Sequence, residues 1–449
     1  MSLDNYLNVE IINIAPKYKR YDYDIITSIA AMTTESSRDF IGKLEKAEKE
    51  NKFELYKDLV KNSIERGYAS ITTTPTVYLN IVGTRISDLF FTAIPFSSAL
   101  VLSQRVVKPD RYYVPKEIGE VKLLDELLKF YWELVNRGIR PEVARRILPL
   151  STPSHIFLQL PLESLSVINK YISIYQEYIP TEIETILNKI KESLKSDFLD
   201  AILNSPQFNF DIRSVFKPYE SIEHGELKIL KEDSYELNEF LDNIESLLNK
   251  LWKNRDRKLA WEVQQKIAEN GFRYSLVLSF PCSIACYNEL KRHRTIYIHP
   301  ESIYSSIERA HKDYKNIYIP PEIKNREDLL ERYLNLTYSA IEEYQRVKEK
   351  YGERFAVYLI PQNIIIRTII KIDLNNLLNF FSFYRIRSCY TAEFEIREKV
   401  REIPNLIKNK KLRDLLIKDN LPISKCIIGY CPEPENRRCN IYKKLFNKE

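Results

Sequence analysis

With 449 residues, 44% of them hydrophobic and 29% charged, the chain has apolar material for two or three folded domains and excludes collagen-like, disordered and disulfide-scaffold classes. Its 68 basic and 62 acidic residues leave a net charge of +6, too slight for a nucleic-acid footprint but suited to an anionic ligand such as a nucleotide phosphate. Only nine residues are glycine, against roughly 7% in average proteins, and neither GxGxxG nor GxxxxGK(S/T) occurs, so any phosphate must be held by side chains or helix N-termini.

In chain order, the β-branched run Val9–Ala15 predicts a strand stopped by Pro16, and Tyr23–Met32 a helix. Phe40–Arg66, charged with apolar residues at helical spacing, predicts a surface helix or helix pair. Thr76–Val82 predicts a strand with Val77, Leu79 and Ile81 on one face, followed by a buried helix over Ile86–Ala93. Then come Ser98–Val107, the triplet Tyr113-Val114-Pro115, a helix through Trp132, a Pro141-initiated helix start ending at Leu148-Pro149, and a strand around His155–Leu160.

The second half repeats this order. Charged residues from Asp211 to Asp233 read as the join, and Tyr235–Asn270 as helical. Arg273–Phe280 predicts a strand. Ile284–Lys291 predicts an amphipathic helix ending at Arg292-His293-Arg294, with a β-rich run Thr295–Ile298 after it. Tyr318-Ile319-Pro320 matches Tyr113-Val114-Pro115. A helix through Tyr344 precedes Ala356-x-x-x-Ile360-Pro361, which matches Ala144-x-x-x-Leu148-Pro149. A strand over Ile364–Ile372 leads into a helix from Leu374, and a basic stretch from Lys408 to Arg413 precedes a cysteine-bearing tail. A period of this size means homologous domains rather than a solenoid.

Two short stretches carry anion-binding chemistry. Arg292-His293-Arg294 closes a helix, where two guanidinium groups can converge on one multiply charged anion; a basic helix end complementing the dipole is the alternative. Ser103-Gln104-Arg105 offers a hydroxyl, an amide and a guanidinium, or else is an ordinary surface tripeptide. Arg145 and Arg387 suit either an anion or a structural salt bridge. Cys426, Cys431 and Cys439 are a candidate zinc set, completed by a fourth ligand from elsewhere, with unpaired or disulfide-forming cysteines as the alternative. Cys282 and Cys286 read as core, and His155, His299 and His311 as structural.

Together these residues resemble the flavin-dependent thymidylate synthases (ThyX), most closely the long, double-domain ThyX-like proteins. The second half supplies Arg292-His293-Arg294, Asn379-Phe380, Arg387 and Ala392-Glu393-Phe394-Glu395-Ile396; the first supplies Ser103-Gln104-Arg105 and Ala144-Arg145 before Leu148-Pro149. The resemblance spans about Val9 to Glu402. It implies an α+β protein of two tandem ThyX-like repeats, each a mixed β-sheet flanked by helices: residues 1–215, 216–410 and a basic, cysteine-containing tail 411–449.

It further implies reductive methylation of dUMP to dTMP with FAD, methylenetetrahydrofolate and NADPH, at one composite site between the repeats. Ser103, Gln104, Arg105 and Arg145 would hold the dUMP phosphate, and Arg387 would act on the uracil edge. Arg292, His293, Arg294 and Asn379 would face the cofactor. The expected assembly is a cytoplasmic homodimer of two-repeat chains, without a membrane span. The family pattern is also broken. Ala93-Ile94-Pro95 occupies the first-half R-H-R position, Leu100-Val101 replaces an N-E pair, and Val357 replaces an arginine. These losses motivate the alternative of a catalytically inactive ThyX-like scaffold binding nucleic acid or protein.

Overall fold

The computed structural model describes residues 1–207 and 210–446. They form two compact units. The first takes Met1–Tyr219 with Ser302–Ile364, the second Glu220–Glu301 with Ile365–Glu449. No helix among the described residues is long and apolar enough to cross a membrane.

In the first unit, β1 (Asn8–Ala15), β2 (Thr76–Thr84), β3 (Ser98–Val101) and β4 (Pro153–Pro161) form a sheet ordered β1-β2-β4-β3. Strict alternation makes β2 two-faced: Val77, Leu79 and Ile81 are completely buried, as expected, beside Leu158 and Leu160 of β4. Helix Arg85–Phe91 follows β2 without a linker, and all seven of its residues are buried. Phe40–Arg66 is a helix pair, Phe40–Lys49 and Phe53–Glu65, with Asn51 between them in the left-handed region.

The part of the second half lying in this unit contributes the long helix Glu327–Tyr351, packed on its counterpart Lys122–Asn136. The Arg332 guanidinium sits 5.0 Å from the Phe130 ring centre, and Arg137 meets Asp328 at 2.5 Å.

The second unit contains β5 (Lys228–Ser234), β6 (Tyr274–Ser279), β7 (Cys282–Ser283), β8 (Tyr297–Pro300), β9 (Ile365–Ile366) and β10 (Thr368–Asp373). Its main sheet runs β5-β6-β10-β8, the order of the first sheet, while β7 pairs with β9. Each first strand carries an irregularity at the same place, Ile11/Asn13 in β1 and Ile229/Lys231 in β5. The chain is thus two tandem repeats of one α+β design. All strand pairings are antiparallel, a narrower result than the mixed sheet expected. β2 returns beside β1, β4 beside β3, β6 beside β5 and β10 beside β8, each in the opposite direction and without the crossover that parallel neighbours need.

A buried carboxylate marks the same point in both repeats. Thr84 donates its N–H to Glu182 Oε1 at 2.7 Å and its hydroxyl to Oε2 at 2.6 Å. Ser283 does the same to Glu395, at 2.8 and 2.5 Å. Each pair satisfies donors at the start of a buried helix, Arg85–Phe91 or Ile284–Leu290, that water cannot reach. Gly83 makes room for this contact, since a methyl group there would overlap Glu182 Oε1.

Three local expectations are corrected and one gap is filled. The join read as charged linker contains edge strand β5, whose residues are mostly exposed or half-buried and so show no alternation. The single strand expected over Ile364–Ile372 is split at Arg367, which anchors its guanidinium on the carbonyls of Ile222 and Glu223, each at 2.9 Å. The stretch after the β-rich run Thr295–Ile298, given no element above, is helix Ile303–Lys312, capped by Ser302. The basic stretch Lys408–Arg413 enters helix Lys410–Leu416, whose leucines Leu412, Leu415 and Leu416 are buried.

Candidate functional site

The second unit gathers its predicted residues around the end of helix Ile284–Leu290. This helix stops after Lys291, and Arg292-His293-Arg294 forms the following turn, with Arg292 and His293 half-buried and Arg294 exposed. Arg387, 94 positions later at the end of helix Phe383–Arg387, donates from Nε to His293 Nε2 at 2.5 Å. Its other nitrogens reach the Glu289 carbonyl at 3.0 Å and the Glu289 carboxylate at 3.4 Å. That bond uses His293 Nε2 as the acceptor. Phe383 packs edge-on against the ring at 5.1 Å.

Asn379 caps the short helix Leu374–Leu378 and donates to Asn375 Oδ1 at 3.0 Å. Asn376, from the same helix, donates to Thr295 Oγ1 at 2.9 Å and so pins this helix to the Arg-His-Arg turn. Asp373 starts the helix with a capping box. Arg387, His293 and the half-buried Asn379 therefore belong to one cationic, hydrogen-bonding surface.

In the first unit, Ser103 is exposed and its carbonyl accepts from Val106 and Val107, closing a tight turn. Gln104 is buried. It donates to Thr152 Oγ1 at 3.0 Å and accepts from Gln362 Nε2 at 3.2 Å. Arg105 forms an ion pair with Glu142 at 3.1 Å and remains 31% exposed, enough for a solvent-side ligand to approach it. Arg85, buried and paired with Asp88 at 2.7 Å, supports the turn from behind through the Leu102 carbonyl. Arg145 is buried in the turn after Pro141–Ala144, within electrostatic reach of the Tyr131 hydroxyl. Burial pushes that phenol up to about 12.

Beside the turn lies a cavity of about 270 Å³ lined by Gln104, Lys108, Arg111, Tyr113, Tyr6 and His155 among others. Tyr6 stacks on Tyr113 at 3.6 Å between ring centres and hydrogen-bonds His155 Nε2 at 3.1 Å. Burial, with Tyr113 and Glu182 in support, raises the Tyr6 phenol to about 12. Sequence reasoning missed Tyr6, Lys108 and Arg111, which stand in no motif. It also missed Glu182, although Glu182-Ile183 repeats the Glu395-Ile396 pair and the match was available to find it.

His299 and His311 pair with Glu220 at 2.6 Å and Glu342 at 3.1 Å on the surface, in keeping with structural roles. Cys282, in β7, and Cys286 are both buried. Among the described residues no group of three or more His, Cys, Asp and Glu is placed to hold a metal ion. A zinc tetrahedron with Zn–S bonds of about 2.3 Å requires thiolates closely packed around one point.

A family model described as "Thymidylate synthase complementing protein" (Thy1) matches residues 18–197 and 242–410, one stretch in each repeat. Among curated proteins, the flavin-dependent thymidylate synthase of Pyrococcus abyssi is 27% identical over 157 residues, 34% of this chain and 63% of that protein. The Pyrococcus furiosus flavin-dependent thymidylate synthase is 25% identical over 204 residues, 44% of this chain and 80% of that protein. The matched stretch thus spans under two thirds of the first relative's length. Among solved structures, the UMP/dUMP methylase PolB from Streptomyces cacaoi aligns with a TM-score of 0.34 and 14% identity, covering 43% of this chain and 93% of its own.

Proposed function

The chain belongs to the thymidylate synthase complementing protein family, and we propose that it is a flavin-dependent thymidylate synthase that converts dUMP to dTMP. The observation carrying this reading is the bond from Arg387 to His293, which joins two segments remote in sequence into one cationic surface. Its donors fit an anionic dinucleotide such as FAD: guanidinium groups on Arg292 and Arg294 for a diphosphate, and the Asn379 amide for a polar edge. Bound there, a flavin would supply the redox chemistry, with NADPH and methylenetetrahydrofolate as the co-substrates of the overall conversion.

The chain's own residues would bind and orient. Arg387, braced by Glu289 and His293, presents a guanidinium of fixed direction to the uracil edge. Ser103 and Arg105 hold the nucleotide phosphate on the exposed side of their turn, with Arg145 as a further phosphate ligand. Gln104, whose amide is engaged by Thr152 and Gln362, positions the turn rather than touching the ligand. We place repeat one at residues 1–215, repeat two at 216–410 and the tail at 411–449, with one composite site drawing on both repeats and a homodimer of such chains.

Titrating the purified full chain with FAD and dUMP by calorimetry and visible spectroscopy tests the proposal. It predicts saturable binding of both and dTMP formation when methylenetetrahydrofolate and NADPH are added. Absence of binding to either nucleotide overturns it. Light scattering of the same sample is expected to give twice the chain mass.

The second reading, an inactive scaffold, draws on the ion pair between Arg105 and Glu142, which occupies a would-be phosphate ligand. It predicts nucleotide binding without turnover, or salt-dependent retention of DNA or RNA through Lys408–Arg413.

A further inference from the structure

We propose that the second unit carries an iron–sulfur centre held by Cys389, Cys426, Cys431 and Cys439. Cys389 stands 37 positions before Cys426 and is outside any spacing motif, but the fold brings its segment beside that of Cys426. Ser388 and Ser424 hydrogen-bond through their hydroxyls at 2.9 Å, and Lys425 donates to Thr391 Oγ1 at 3.4 Å. These two contacts lay the segment carrying Cys389 alongside the one carrying Cys426. Lys425 also pairs with Glu433, drawing back the stretch just after Cys431. Arg438 donates to the Glu433 carbonyl at 3.4 Å, which fixes the residue before Cys439. Cys389 and Cys439 both lie within electrostatic reach of Cys426.

Two cations point to an anion at this place. Arg385 is fully buried and gives its terminal nitrogens to the backbone carbonyls of Ile423 and Leu415, while its Nε has no hydrogen-bond partner. Arg401 donates to the Ser388 carbonyl at 2.8 Å, and its buried Nη2 is likewise unpartnered. Arg385 lies in reach of Cys426, and Arg401 of Cys439 and Cys389. Arg385, fully buried and bonded only to carbonyls, leaves positive charge uncompensated in a low-dielectric interior, and the half-buried Arg401 adds to it.

Four thiolates around an oxidised 4Fe–4S cube carry a net double negative charge and would neutralise both groups. Soft sulfur donors select iron–sulfur clusters or zinc. The centre would staple the C-terminal segment to the turn that follows Arg387.

The test is anaerobic purification of the full chain, with iron, acid-labile sulfide and zinc assayed before and after reconstitution with ferrous iron and sulfide. The expected result is iron and sulfide in equal amounts, about four of each per chain, and a broad visible band bleached by dithionite. The assay is independent of any bound flavin. Serine substitution at Cys389, Cys426, Cys431 or Cys439 should lose most of the iron, whereas C282S and C286S should keep it. If C426S fails to fold, C439S, at a partly exposed position, gives the same reading. Stoichiometric zinc without sulfide, iron-free protein after reconstitution, or iron retained in all four variants overturns the proposal.

Discussion

Pro149 and Pro361 face one another across a short antiparallel pairing, in which Leu150 donates its N–H to the Ile360 carbonyl and Gln362 donates its own to Leu148, each at 3.0 Å. These prolines close the matching Ala-x-x-x-Leu/Ile-Pro blocks of the two repeats. The contact is therefore reciprocal, each element meeting its own counterpart as in a two-fold subunit interface. One chain holds internally a junction of the kind that would otherwise form between two copies.

Gln362 tests that junction. Its buried amide donates to Gln104 Oε1 at 3.2 Å, so Gln362→Leu leaves an acceptor without water or partner. A loss of about 1–3 kcal/mol is expected from denaturant unfolding. The double variant with Gln104→Leu should be less destabilised than the sum of the single ones, because both polar partners are then gone. Strict additivity would show that the bond does not couple the repeats.

Glu182 sets a pH dependence. Burial raises its pKa above the ordinary value of 4.5, against the pull of the Ser87 and Thr84 hydrogen bonds. Above pH 4.5 the unfolded chain has released this proton while the folded chain still holds it. Stability from this group thus falls as pH rises through the window and levels off beyond the folded pKa. Glu182→Gln cannot titrate, so its urea midpoint should gain on the parent protein as pH increases from about 4 to 8. A constant difference across that range would contradict the assignment.

Arg387 tests the cationic surface. Arg387→Ala removes charge-assisted bonds worth about 1.5–3 kcal/mol each, so nucleotide affinity should fall at least tenfold by calorimetry, with the circular dichroism spectrum unchanged. Arg387→Lys should recover only part of the loss, because an ammonium cannot present the forked geometry.

Ser103 and Arg105 separate ligand binding from architecture. Both Ser103→Ala and Arg105→Ala should weaken dUMP binding, with little change in melting temperature, since exposed or half-exposed ion pairs contribute about 0–1 kcal/mol. Gln104→Ala should show the reverse pattern: a clear drop in melting temperature and a smaller direct effect on affinity. Equal behaviour of all three would place Gln104 among the ligand contacts.

Hydrophobic period alone determined most of the strands and helices, because the alternation in Thr76–Thr84 and the apolar run of Arg85–Phe91 are imposed by burial on one or all faces. The Arg-His-Arg turn and Arg387 were legible as motif residues, yet no spacing rule gave their mutual bond across 94 positions. Edge strand β5, half in solvent, left no alternation to read. Local pattern records which face a residue turns to the core. The partners of Gln104, the meeting of Pro149 with Pro361 and the approach of Cys389 to the tail depend on long-range packing, where chain distance and spatial distance are unrelated, and only the tertiary structure decided them.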